Sequence, residues 1–299
     1  MELRSYDSVK AAICGCFGSK VHIEGRSHVG GGDINNASCL NLGNGERVFI
    51  KSNSVANRGF FDAEEEGLNA IASTGAIGIP KLLCKGTDGD IAFLMMEMID
   101  RANPVKDYWE IFGRELAMMH LADTDAFVPG GGFGFKSDNY IGATKQINKQ
   151  NKSWIAFFRE SRLEPQVKMA ERYFDSGFLK AVIKLLDGIG KVLIEPERPS
   201  LLHGDLWSGN CMTGREGKAI LIDPACYIGH AEADLAMTEL FGRLPAGFYR
   251  SYNETNPLQP GYEDRRDMYN LYHMLNHLNL FGSGYLGSVK QIVRRYTSP

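Results

Sequence analysis

The sequence has no long hydrophobic run and no excess of positive charge. Its longest apolar stretch, IAFLMM at 91–96, is far too short to cross a bilayer. The N-terminal residues 1–18 include Glu2 and Asp7, which argues against a secretory signal. A net charge of −3 and a pI near 6.2 provide no general attraction for DNA, RNA or an anionic membrane. We therefore expect a protein that binds neither nucleic acid nor membrane.

Zinc-binding patterns are also lacking. The six cysteines are scattered and form no CxxC, and Cys14-x-Cys16 has no second pair. His273 and His277 lie four residues apart on a predicted helix, but no glutamate follows His273 as an HExxH site requires. With no secretory signal, we expect reduced thiols and a cytoplasmic protein.

Two kinds of periodicity divide the chain. Up to Asp100, short apolar runs at 21–29, 38–42, 47–52 and 91–99 predict strands, and 58–73 predicts one helix. Beyond Asp100, helices are predicted at 107–123, 153–166, 178–193 and from Glu263 onward, with a loop at 124–153 and a short strand before Asp223. The pattern predicts an α+β fold of two lobes: a small β-sheet N-terminal lobe with one helix, residues 1–100, and a larger helical C-terminal lobe, residues 101–299.

A polar cluster lies in LLHGDLWSGN at 201–210, which contains His203, Asp205 and Asn210. Asp223 follows Asp205 by 18 residues, at the end of the apolar run AILI. Two aspartates and an asparagine supply the hard oxygen ligands that Mg²⁺ prefers, and one carboxylate can remain outside the metal shell to accept a hydroxyl proton. The order matches the catalytic loop and metal aspartate of protein-kinase-like folds. The alternative is a solvated turn followed by an aspartate at a strand end.

The N-terminal region contains matching elements in kinase order. VGGGDINNA at 29–37 lies between predicted strands, where backbone amides could cover phosphates, although Asn35 replaces the third glycine of GxGxxG and a plain hairpin turn is the alternative. Lys51 ends the strand RVFIK and could face phosphates. On the following helix Glu64, Glu65 and Glu66 all compete to pair with it, and a solvated acidic face is the alternative.

The run FLMMEMI ends near the predicted lobe junction at 97–104. There the backbone of Glu97 and Ile99 could contact adenine, with Met96 lining the pocket and Met98 between them. Methionines at this spacing are also typical of a core. The ordered co-occurrence of all these elements favours a nucleotide site.

Several stretches together resemble the fructosamine-3-kinase, or ketosamine-3-kinase, family. They are LLHGDLWSGN, DPACYIGHAEADLAMTELFG and LYHMLNHLNLFGSGYLG, with NYIGATKQ and SWIAFFRESRLEPQ extending the likeness over essentially the whole chain. The resemblance implies the protein-kinase-like fold of aminoglycoside phosphotransferases. It also implies transfer of the γ-phosphoryl of ATP, with Mg²⁺, to the 3-hydroxyl of a small-molecule or protein-bound ketosamine. The labile product would release early glycation adducts.

The resemblance also implies residue roles. Asp205 is similar to the family's catalytic base, Asn210 and Asp223 to its magnesium ligands, and His203 is expected to orient the loop. The implied nucleotide contacts are Lys51, its partner Glu64, the hinge Met96, Glu97, Met98 and Ile99, and the loop glycines Gly31 and Gly32. The sequence departs from the family at Asp33, where Cys or Ser is common, which leaves the phosphate-loop contacts open.

Two features leave alternatives open. Trp207 could stack on the sugar or pack in the interior. In GHAEAD, Glu232 and Asp234 could attract the substrate's cationic amine, although Asp234 is better suited to anchoring loop backbone or capping a helix.

An aminoglycoside- or choline-type kinase of the same fold is the alternative enzyme, opposed by HGDLWSGN and the long C-terminal likeness. A non-catalytic nucleotide-binding scaffold is disfavoured by the intact Lys51 and Asp205.

Overall fold

The computed structural model describes residues 3–30 and 34–297. Its N-terminal part consists of β1 (Ser5–Tyr6), α1 (Val9–Phe17), β2 (Ile23–His28), β3 (Asn36–Leu42), β4 (Arg47–Ser54), α2 (Gly59–Ser73), β5 (Leu82–Asp88) and β6 (Ile91–Glu97). The strands form one sheet in the order β1-β5-β6-β4-β3-β2, antiparallel except for the β1–β5 pair. The predicted strands and the helix α2 are present.

The first residues correct the sequence-based expectation, which had no helix there. Ser8 caps α1 by accepting a hydrogen bond from the Ala11 amide at 3.1 Å. Ala12 and Ile13 of this helix are buried against the sheet beside Cys84. A nine-residue helix gains most of its stability from such tertiary packing, which explains why its own sequence signal is weak.

The two faces of the sheet have different partners. Val48 and Ile50 of β4 face the cluster that contains α1, whereas Phe49 and Lys51 point to the opposite face, toward α2. This alternation is the period of two of a strand. It places Lys51 opposite Glu64, inside the fold rather than at the surface.

The remainder of the chain is mostly helical. Its elements are α3 (Tyr108–Leu121), β7 (Asn139–Ile141), β8 (Thr144–Gln146), α4 (Trp154–Phe157), α5 (Glu164–Ala170), α6 (Ser176–Asp187), β9 (Ser200–Leu202), β10 (Cys211–Thr213), β11 (Ala219–Leu221), β12 (Tyr227–Gly229), α7 (Glu232–Leu240), α8 (Ala246–Thr255), α9 (Tyr262–Phe281) and α10 (Leu286–Thr297). The predicted stripe on α9 is buried: Met268, Leu271, Tyr272, Leu275 and Leu278. The α+β class is therefore confirmed, with a sheet-rich N-terminal part and a helical C-terminal part.

The short strands β9, β10 and β12 and the helix α8 were not predicted, and two predicted segments differ from expectation. The stretch 153–166 is helical, but a π-helical turn at Phe158–Leu163 interrupts it between α4 and α5. The stretch 124–153, predicted to be a loop, contains the hairpin β7–β8. None of the described helices is both long and apolar enough to span a bilayer. All six cysteines carry unpaired thiols.

Candidate active site

Four short strands bring the polar motifs together. Strand β9 pairs antiparallel with β12, and β10 pairs antiparallel with β11, so the loops at 203–210 and 222–226 run side by side. Two backbone hydrogen bonds join the loops at opposite ends: Ile222 N to Asn210 O (3.1 Å) and Ala225 N to His203 O (2.8 Å). The distant sequence positions 205, 210 and 223 therefore belong to one site.

His203 and Gly204 shape the first loop. The buried His203 ring donates from Nε2 to the Ile222 carbonyl at 2.9 Å, so its Nδ1 carries no hydrogen and can accept the Asp205 amide at 3.3 Å. Burial lowers the pKa of His203 and favours this neutral form. Gly204 has φ +80°, and a Cβ there would collide with the Ala225 carbonyl. His203 therefore orients the loop, as predicted.

Asp234 anchors the same loop from α7. Its carboxylate accepts the amides of His203 (2.7 Å) and Gly204 (2.9 Å), and it lies 3.2 Å from His120 Nε2. Burial alone would raise the pKa of this carboxyl, but the bond to His120, the nearby imidazoles and the Gly204 amide outweigh it and lower the pKa. The prediction that Asp234 anchors loop backbone is confirmed.

Replacing Asp234 with asparagine is expected to destabilise the protein by about 3 kcal/mol, because a buried amide NH₂ would face a backbone N–H and a charged acceptor would be lost. Chemical denaturation measures the change. Asp264→Asn is the matched control, since its side chain is 88% exposed. Equal stabilities of the two variants would contradict the anchoring role.

Asp205 and Asn210 are in direct contact. Asn210 Nδ2 donates to the Asp205 carbonyl at 2.9 Å and to its Oδ2 at 3.2 Å. This orientation turns the amide oxygen of Asn210 away from Asp205. Burial raises the pKa of Asp205 to about 7, with Asn210 opposing the shift and the neighbouring aspartates adding to it. The loop thus presents a carboxylate and an amide oxygen side by side.

Lys51 connects the sheet to the second loop. Its Nζ lies 2.6 Å from Glu64 Oε1 and also contacts Asp223 Oδ1. Burial disfavours the ammonium, but the two carboxylates outweigh it and raise the pKa of Lys51. Burial also raises the pKa of Glu64, with Lys51 opposing that shift. The ion pair therefore retains a charged lysine in a nearly solvent-free position.

Asp223 has an unusual backbone. It is one of two non-glycine residues with positive φ among those described, at +56°, and it precedes Pro224. A left-handed conformation before proline is strained, and such strain is typical of functional positions. Its side chain is 42% exposed although it contacts the buried Lys51. One part of this carboxylate therefore holds the lysine while another faces solvent.

Only one of the three consecutive glutamates faces Lys51. Glu65 instead lies 2.8 Å from Lys85 Nζ and accepts the Leu3 amide, and Glu66 contacts the Ser137 hydroxyl. Consecutive helical positions point about 100° apart, so the three carboxylates reach different surroundings. Glu64 is the partner.

The residues predicted to contact adenine fall into different environments. Met96 is buried in the core between the sheet and α2. The Glu97 amide already donates to the Lys81 carbonyl at 2.9 Å. Met98 and Ile99 follow the strand and are half-buried. Within residues 3–30 and 34–297, the Ile99 amide has no hydrogen-bond acceptor, which leaves it available to a ligand.

Trp207 is exposed rather than packed in the interior. Its side chain is 39% exposed, and its ring lies over Gly209, where a Cβ would collide with it. The ring forms one wall of a cavity of about 200 Å³ whose other walls include Tyr108, Trp109 and Leu244. An aromatic face is thus presented two residues after Asp205.

Glu232 does not fit the expected contact with a substrate amine. It is buried at the start of α7, and both of its oxygens bind Arg265, from Nε at 2.8 Å and from Nη2 at 2.5 Å. A carboxylate paired in this bidentate way has no free face for a second cation. Glu232 holds α7 against α9, so the prediction that it contacts the substrate is wrong.

Gly31 and Gly32, predicted to contact phosphates, lie outside the described residues, as does Asp33.

Among the described residues, the sequence analysis missed a second group of side chains that supports the site. Asn139 Nδ2 donates to the Cys226 carbonyl (2.7 Å), and Gln146 Nε2 donates to that of Ala225 (3.0 Å). The stretch NYIGATKQ, which forms two short strands around Gly142, was the feature of the sequence that could have indicated these contacts.

This fold and site define a phosphotransferase of the protein-kinase-like class. A thermostable mutant of an aminoglycoside phosphotransferase superposes with a TM-score of 0.63 at 18% identity, covering 97% of this chain and 100% of its own. A Haemophilus somnus protein named "Putative fructosamine-3-kinase" superposes with a TM-score of 0.87 at 27% identity, covering 97% of this chain and 96% of its own.

The fructosamine kinase profile matches residues 5–298, and the chain belongs to that family. A Synechocystis protein named "Probable ketoamine kinase" is 38% identical over 97% of this chain and 96% of its own. The chloroplastic protein-ribulosamine 3-kinase of Oryza sativa subsp. indica is 40% identical over 93% of this chain and 80% of its own. The resemblance drawn from the motifs is confirmed.

Proposed function

We propose that this protein is an ATP-dependent ketosamine 3-kinase, which phosphorylates O3 of the sugar on glycated amines or proteins and so promotes their deglycation. The observation that carries the proposal is the assembly of Asp205 and Asn210 beside the Lys51–Glu64–Asp223 chain of contacts. Family membership and the names of the relatives support this substrate class. The same likeness disfavours an aminoglycoside- or choline-type kinase, the second candidate.

Nucleotide binding is assigned to the sheet-rich lobe and its edge, residues 1–100, with catalysis and the acceptor in 101–299. Lys51, held by Glu64, would bind phosphate oxygens as a buried cation. The unbonded Ile99 amide would donate to adenine, and Gly31 and Gly32 remain proposed phosphate contacts. Met96 supports the hinge from the core.

Asn210 and Asp223 suit a Mg²⁺ ion. Asn210 directs its NH₂ to Asp205 and keeps its oxygen free, and Asp223 offers a half-exposed carboxylate. Mg²⁺ is commonly held by one or two such groups together with substrate phosphates. Within the part of the chain described, no cluster of three His, Cys, Asp or Glu could form a metal cage, so a shared site of this kind fits better. When bound, Mg²⁺ would neutralise charge on the transferred phosphoryl group.

Asp205 would accept the proton of the attacking hydroxyl. Its carboxylate is oriented by Asn210, and its loop is fixed by Asp234 and His203. Positioning of the acceptor supplies most of the rate in phosphoryl transfer. The face of Trp207 would hold the sugar beside this base.

A substrate screen tests the function. The purified protein with Mg-ATP is offered ribuloselysine, fructoselysine, kanamycin and choline, and NMR locates the phosphate. We expect phosphate on O3 of a ketosamine and little turnover of kanamycin or choline. Rapid turnover of kanamycin or choline with both ketosamines inert would overturn the proposal.

A further inference from the structure

Aromatic side chains form a continuous path away from the candidate active site. The ring of Trp207 lies 6.1 Å from that of Phe241, which lies 4.9 Å from His277. The His277 ring is in turn 5.4 Å from Phe281 and 5.1 Å from Tyr285. We call these five residues the aromatic strip. Its members come from the loop at 203–210, the end of α7, α9 and the turn at 283–285, so only the fold assembles it.

The strip is open to solvent. Trp207 and Phe241 are each 39% exposed and Phe281 is 52% exposed. Contiguous exposed aromatics of this kind mark binding surfaces more often than isolated apolar residues do. Burial lowers the pKa of His277 and so favours the neutral ring, although the hydrogen bond from its Nδ1 to the His273 carbonyl opposes that shift. The strip therefore presents contiguous aromatic rings to solvent.

We propose that the aromatic strip binds the carrier of the ketosamine, and that the preferred carrier is a peptide with an aromatic side chain near the glycated lysine. The inference rests on the proposed function. In a ketosamine the amine is attached to C1, two carbons from the reacting 3-hydroxyl, so a carrier must leave the site close to Asp205. The strip begins at Trp207, two positions along the chain from that base, and continues through Phe241 to Phe281 and Tyr285. A free ketosamine would reach only its inner end.

The contacts expected are aromatic–aromatic and apolar. Burial of one aromatic ring against others changes affinity by about tenfold. This contribution belongs to binding of the carrier, so it should appear in KM more than in kcat.

The test compares two glycated peptides that differ at one position, with phenylalanine or serine two residues from the fructoselysine. We expect the wild-type protein to show a kcat/KM about tenfold higher for the phenylalanine peptide. Phe281→Ala, and independently Phe241→Ala, should reduce that ratio to near one. Ile183→Ala is the matched control, because Ile183 is similarly exposed but lies on α6, outside the strip; its ratio should equal that of the wild type.

The outcomes separate the two proposals. If the wild-type protein phosphorylates both peptides with equal kcat/KM, or if both strip variants retain the preference, the strip does not bind the carrier, although the kinase assignment stands. If neither peptide nor free fructoselysine nor ribuloselysine is phosphorylated, the proposed function fails and this inference fails with it.

Discussion

The Asp205→Asn variant is expected to turn over ketosamine at least about a hundredfold more slowly than the wild-type protein, with ATP still bound. Asparagine keeps the size of the side chain and the contact with Asn210 but cannot take a proton from the attacking hydroxyl. Steady-state kinetics would measure kcat, and the rise in melting temperature with Mg-ATP would report nucleotide binding.

Asp90→Asn provides the matched control, since it makes the same chemical change on the exposed turn between β5 and β6. The control should retain wild-type kcat. Near-normal turnover by Asp205→Asn would show that another group accepts the proton and would remove Asp205 from the mechanism.

Removal of the Asp223 carboxylate should abolish the Mg²⁺-dependent stabilisation by nucleotide. The half-exposed carboxylate is the charged member of the proposed metal pair, and it also contacts the buried ammonium of Lys51. In a thermal unfolding series at fixed Mg²⁺, the melting temperature of Asp223→Ala should not rise with ATP, whereas that of the wild-type protein should.

A second substitution separates charge from backbone strain. Position 223 has φ +56°, which asparagine tolerates better than alanine. Asp223→Asn therefore preserves the local conformation while removing the charge, and it should lose most of the Mg²⁺-dependent protection as well. Undiminished protection in both variants at equal Mg²⁺ would place the metal elsewhere.

Local chemistry made much of this site predictable. The spacing of Asp205, Asn210 and Asp223 and the apolar run before Asp223 indicated a kinase-like loop because oxygen ligands and a base are required by the reaction itself. The hydrogen bonds across the two loops agree with that grouping. The catalytic and metal roles of these residues remain predictions until the variants are measured.

Long-range contacts account for the errors. Helix α1 was missed because its few apolar residues are stabilised by the sheet, and the hairpin β7–β8 because its polar side chains bind backbone carbonyls of a distant loop. Glu232 was misjudged because its partner Arg265 lies on another helix, 33 positions away. Acidic residues look alike in sequence until their partners are known.

The sequence by itself determined the class of fold, the strands β2, β3, β4 and β6 with the helix α2, the polar motifs of the site, and the family, because periodicity and motif spacing are properties of neighbouring residues. Only the tertiary structure decided which glutamate pairs with Lys51. It also showed that Asp234 anchors the loop, whereas Glu232 forms an ion pair with Arg265. The exposed aromatic strip that begins at Trp207 likewise became visible only in the fold. Each of these depends on how far apart two distant segments lie and in which direction their side chains point, and packing of the whole chain sets both.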